Sequence, residues 1–99
     1  MPVPLPRLEG VARDLHFFRQ PDLWATWPVL PVVRHTGPDE MDLGVLYDFA
    51  HTSDRTGYRC TVFKCNFWFL PETEEELLAL PKEVFDTFEE LSAAGWAVD

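Results

Sequence analysis

The sequence predicts a two-layer α+β domain: an antiparallel sheet of three to four strands carrying two short C-terminal helices, with an N-terminal helix as a further candidate. Three observations carry that expectation. Apolar residues alternate with period two from Leu43 to Ala50 and again from Tyr58 to Phe69, the period turns helical after Pro71, and turn residues separate the blocks. With 99 residues there is room for one core, and eight Phe, four Trp and two Tyr supply ample surface to fill it. The expected organisation is a Pro-rich arm over 1–7 and a single domain over 8–99.

Pro2, Pro4 and Pro6 alternate with Val3 and Leu5, so the arm should be extended. Leu8, Val11, Ala12, Leu15 and Phe18 recur at helical spacing and predict a short amphipathic helix that ends before Pro21. Pro21 suits the first position of a further helical turn. Pro28 and Pro31 then extend the chain, and the missing N–H of Pro31 restricts Val29 to Thr36 to an edge strand at best. A turn at Gly37, Pro38, Asp39 and Glu40 leads into the Leu43 to Ala50 strand.

The strand expected over Tyr58 to Phe69 places Thr61, Phe63, Cys65, Phe67 and Phe69 on a core face. Tyr58, Cys60, Val62, Lys64, Asn66 and Trp68 fall on a mixed face. Cys60 and Cys65, five apart on such a strand, would stand roughly 16 Å apart on opposite sides, beyond the reach of a disulfide or a shared metal. Thr73 with Glu76 has capping-box spacing ahead of Leu77, Leu78 and Leu80, and Pro81 stops that run. Asp86 or Thr87 can cap a second helix, Gly95 suits its C-terminal exit, and Trp96 to Val98 reads as a short returning strand.

Charge is uneven. Nine of the 17 acidic residues lie in Glu72 to Asp99 against Lys82 alone, whereas the preceding 71 residues hold eight acids and seven bases. No basic stripe is available for a nucleic-acid backbone or an anionic membrane. No apolar run approaches the roughly 20 residues of a membrane span, and the first residues lack the order of a secretory leader. A cytoplasmic, soluble protein is the expectation, and two unpaired thiols agree with it.

His51, Ser53, Asp54 and Arg55 form the densest group of reactive side chains. Neighbours on one loop do not make a triad, so the bland reading is turn chemistry with Gly57 at positive φ. The functional reading is a ligand-contacting loop with Arg55 as an anion donor. No catalytic set, metal-ligand spacing or cofactor motif is present: the five glycines are scattered, and His16, His35, His51, Cys60 and Cys65 lack zinc spacing. The glutamates of 72–76 read as a solvated, dipole-favoured helix start.

Trp68, with Tyr58 and Val62, is the candidate interface. If helices cover only the Phe63 side, these three are left for a partner; otherwise the N-terminal segment covers them. The leading functional expectation is a small acidic, non-catalytic interaction module that binds another protein or pairs as a homodimer. The rivals are a small-ligand binder or enzyme, with Tyr47, Arg59 and the 51–57 loop lining its pocket, and an acidic mimic of nucleic acid.

Overall fold

Pro38 and Asp39 turn the chain between two long strands, and the sheet grows outward from that hairpin. The computed structural model describes residues 10–52 and 56–99; the Pro-rich arm lies outside them. Strand β1 (Val29–Gly37) pairs antiparallel with β2 (Glu40–Tyr47) from Val29 opposite Tyr47 to His35 opposite Met41. Strand β3 (Thr61–Phe63) joins β2, β4 (Lys82–Val84) joins β3, and β5 (Ala97–Val98) joins the other side of β1. The sheet therefore has five strands in the order β4-β3-β2-β1-β5, with β4 as the strand the sequence did not signal.

β1 is an interior strand, which corrects the edge assignment. The nitrogen of Pro31 faces β5, not β2, and β5 ends there. Asp99 N–H donates to the Pro31 carbonyl at 3.1 Å, and only the reciprocal bond at the last rung is lost.

Among the described residues four helices flank the sheet: α1 (Val11–Arg19), α2 (Phe49–Thr52), α3 (Glu74–Leu78) and α4 (Phe88–Ala93). Caps fix the last two. Thr73 Oγ1 accepts the Glu76 N–H and Thr87 Oγ1 the Glu90 N–H, each at 3.1 Å, so Thr87 and not Asp86 starts α4. Glu90 in return accepts the Asp86 N–H at 3.1 Å. Gly95 leaves α4 at φ 102, a conformation that favours glycine. Gly57 does not have positive φ; it sits in a 3-10 turn over Thr56–Tyr58.

Side chains of alternate parity feed two apolar clusters, one on each face of the sheet. Leu30, Val32, Leu46, Val62 and Trp96 pack with Phe18 of α1 and with Phe88 and Leu91 of α4. Val29, Val45 and Phe63 pack with Phe49 of α2 and Leu77 of α3. The two C-terminal helices thus lie on opposite faces. Asp14 of α1, itself buried, accepts the outward Val98 N–H of β5 at 3.3 Å and closes that edge of the sheet.

Two strand expectations end early. The strand of Leu43 to Ala50 stops at Tyr47, because Phe49–Thr52 turns into α2 and the Thr52 hydroxyl donates back to the Asp48 carbonyl at 2.6 Å. The strand of Tyr58 to Phe69 survives only as β3, and Phe67–Phe69 forms a 3-10 turn. Asn66 Oδ1 accepts the Trp68 N–H at 3.0 Å, a local bond that competes with strand pairing. Cys60 packs in the α1/α4 cluster and Cys65 against the other, so the thiols lie on opposite sides of the sheet although no long strand separates them. Burial raises the pKa of both, Arg59 and Arg19 offsetting part of the effect at Cys60.

Past the helices, Arg34 on β1 ties three strands together, β1, β2 and β4. It makes two bonds to Glu83 of β4, at 2.9 and 2.8 Å, and reaches Asp42 of β2 at 2.8 Å while lying 4.5 Å over the Trp96 ring. Lys64 adds a contact to Glu83 at 3.2 Å. The Arg34 hydrogen bond holds the Glu83 carboxyl below its ordinary value, Lys64 contributes, and the nearby Trp96 indole adds a little without reaching hydrogen-bond geometry.

A carboxyl with a lowered folded-state pKa contributes stability that is fully present above the ordinary carboxylate range and lost as pH falls through the folded-state value. Glu83→Gln is therefore expected to cost about 1 to 2 kcal/mol at neutral pH, between the surface and buried-pair ranges. The difference from wild type should narrow as the medium is acidified below the carboxylate range. Urea melts over a pH series check this, and a pH-independent difference would assign the loss to packing.

Candidate functional site

Sheet packing decides which aromatic residues remain for a ligand. Val62 does not: it is 0% exposed in the α1/α4 cluster, so its place in the interface set is corrected to a core position. Both faces of β3 are covered, which is why alternation there separates two cores and not core from solvent. Tyr58 is half-buried and packs against Phe49 and Phe63 at centroid distances of 5.8 and 6.5 Å on the opposite side. Trp68 remains, 82% exposed, and Phe69 joins it at 79% although the alternation placed Phe69 in the core.

The turn that carries these two rings is constrained. Asn66 caps its start, the Phe69 N–H donates to the Asn66 carbonyl at 2.9 Å, and Phe67 packs edge-on to Trp68 with centroids 5.7 Å apart. Beneath Trp68 runs a groove of about 280 Å³ lined by Pro31, Leu43, Asn66, Phe67 and Asp99 among others. Leu43 and Met41 on β2 are exposed on the same sheet face, where α2 and α3 stop short. From Phe69 the chain runs through Pro71 and Glu72 into α3, whose first turn is Glu74, Glu75 and Glu76. Leu70 and Leu77 anchor that segment to the sheet.

Of the candidate ligand loop, Ser53, Asp54 and Arg55 lie outside the described residues. His51 is on α2, and its Nδ1 is 2.8 Å from Asp48 Oδ2. The same oxygen accepts the Trp27 Nε1–H at 2.8 Å. Asp48 is 2% exposed at its side chain while His51 is 67% exposed, so a buried carboxylate orients a solvent-facing imidazole. An open cleft of about 520 Å³ adjoins them, lined by Pro21, Asp22, Trp27, Asp48 and His51. The sequence signalled neither the pairing of Asp48 with His51, which spans the end of the strand expected to reach Ala50, nor the participation of Trp27, 21 residues earlier.

Tyr47, Arg59 and His51 do meet in the wall of a cavity, but its volume of about 60 Å³ suits ordered water and not a metabolite. A broader groove of about 540 Å³ has Arg19, Arg59, Cys60, Phe88 and Glu89 in its lining. Its cations are engaged, Arg19 with Glu89 and Arg59 over the Phe88 ring at 5.7 Å. Among the described residues no group of three or more His, Cys, Asp or Glu converges as a metal site, and no helix is long and apolar enough to cross a membrane.

Compared with protein-family models, with curated proteins and with solved structures, the chain matches none.

Proposed function

We propose that this chain is a non-catalytic binding module that engages a basic partner protein through the groove beside Trp68. The observation that supports this reading is the pair of neighbouring aromatic rings, Trp68 and Phe69, left in water by a turn that holds them in place. Trp and Tyr anchors supply much of the energy of protein interfaces, and a turn ordered in advance loses little entropy on binding. The occupant is a segment with an apolar side chain for the groove and Lys or Arg at its flanks. Its basic residues complement Asp99 at the groove, Glu72 and the acidic first turn of α3, in a chain of formal net charge −9.

Two copies of the chain would bring like-charged rims together, which disfavours the homodimer. An acidic mimic of nucleic acid needs one continuous charged surface. Here α3 and α4 carry their glutamates to opposite faces of the sheet, Glu89 pairs with Arg19, and Glu83 pairs with Arg34.

Trp68→Ala is expected to weaken partner binding by about thirtyfold or more, the equivalent of roughly 2 kcal/mol, while the melting temperature stays at the wild-type value. Binding should also fall steeply with added salt. Titration of wild type and variant against a panel of Lys- and Leu-bearing peptides, with Glu-substituted versions as controls, measures the first effect. A concentration-dependent dimer that Trp68→Ala dissociates would put a second copy in the groove instead. A variant that melts early would return Trp68 to a structural role.

A further inference from the structure

The end of the β1–β2 hairpin remote from its turn carries a second constellation, independent of the Trp68 groove. With Oδ2 of the buried Asp48 as the acceptor, the hydrogen of this contact belongs to His51 Nδ1, which leaves Nε2 as the polar atom of the ring not engaged by Asp48. Trp27 has one donor, its Nε1–H, and Asp48 consumes it. What the described side chains lining the 520 Å³ cleft still offer is acceptors, namely His51 Nε2 and the Asp22 carboxylate, beside the half-exposed Trp27 indole. A ligand that satisfies such a surface must bring its own N–H donors and a positive charge. An anion would face the carboxylates of Asp22 and Asp48 there.

From this donor and acceptor inventory we infer that the cleft formed by Trp27, Asp48, His51 and Asp22 binds a guanidinium or ammonium group. The cation stacks on the indole, donates to His51 Nε2 and is neutralised by Asp22, while Asp48 holds both rings in position from within the fold. The group is either a small organic amine or the tip of an Arg or Lys side chain.

The test is an NMR titration of the ¹⁵N-labelled full chain with methylguanidinium chloride and, separately, with a terminally blocked Gly-Arg-Gly peptide; sodium chloride at matched ionic strength is the control. The expected result is a saturable shift of the Trp27 indole N–H and the His51 imidazole nitrogens with at least one of the two probes. Asp22→Asn and His51→Gln, both at exposed positions, should each weaken that binding roughly two- to fivefold with the fold intact. Tighter binding of methylguanidinium assigns the site to a small amine, and tighter binding of the peptide assigns it to a side chain. Shifts that merely follow the salt control, or affinities unchanged in both variants, overturn the inference.

Discussion

Trp96→Ala is expected to destabilise the protein by about 3 to 5 kcal/mol, the range for truncating a buried aromatic residue, against a total of about 5 to 15 kcal/mol for a small domain. The indole is 1% exposed and belongs to the cluster that α1 and α4 form on the sheet. It also lies under the Arg34 guanidinium, so its loss removes the platform of the ion pairs that join β1, β2 and β4. Its Nε1–H is buried without a hydrogen-bond partner among the described residues. Trp96→Phe discards that orphan donor along with one ring and should therefore cost less than about 2 kcal/mol. Urea melts of the two variants measure the difference. A wild-type midpoint for Trp96→Ala would remove this residue from the centre of the core.

Gly44→Ala should cost about 1 to 3 kcal/mol even though glycine is a poor strand residue and alanine should improve the local propensity. A Cβ at position 44 would stand 2.4 Å from Val62 Cγ1, 3.2 Å from the Phe63 carbonyl oxygen and 3.3 Å from Trp96 Cζ3. Val62 is fully buried and Phe63 contributes backbone, so neither yields cheaply. In a Val62→Ala background the clash with Cγ1 disappears. The cost of Gly44→Ala should then shrink, a coupling that a double-mutant cycle reads directly. A neutral Gly44→Ala, or equal costs in the two backgrounds, would mean that β2 and β3 do not approach so closely.

Both outcomes depend on contacts that no local pattern announces, and the same division runs through the whole molecule. Thr73, Thr87 and Gly95 were readable because capping acts over three residues, within the reach of sequence spacing. The turn at Pro38 and Asp39 and the α1 stripe were readable for the same reason. The alternation of Tyr58 to Phe69 was genuine, but its meaning depended on what covers each face. With helices on both sides, Val62 and Phe63 are equally buried, and the side-chain amide of Asn66 ends the strand region and leaves Trp68 and Phe69 in water.

By itself, then, the sequence determined the α+β class, the Thr73 cap of α3, the choice of Asp86 or Thr87 as the cap of α4 and the concentration of acid in the last third. Each of these follows from composition or from bonds between near neighbours. The tertiary structure alone decided that Pro31 sits in an interior strand, that Lys82–Val84 completes the sheet, that Arg34 meets Glu83 across 49 residues and that Trp27 joins Asp48 and His51. These are choices among long-range pairings, in which the free energy of one contact depends on how every neighbouring element is packed, and a single chain read in order holds no record of that competition.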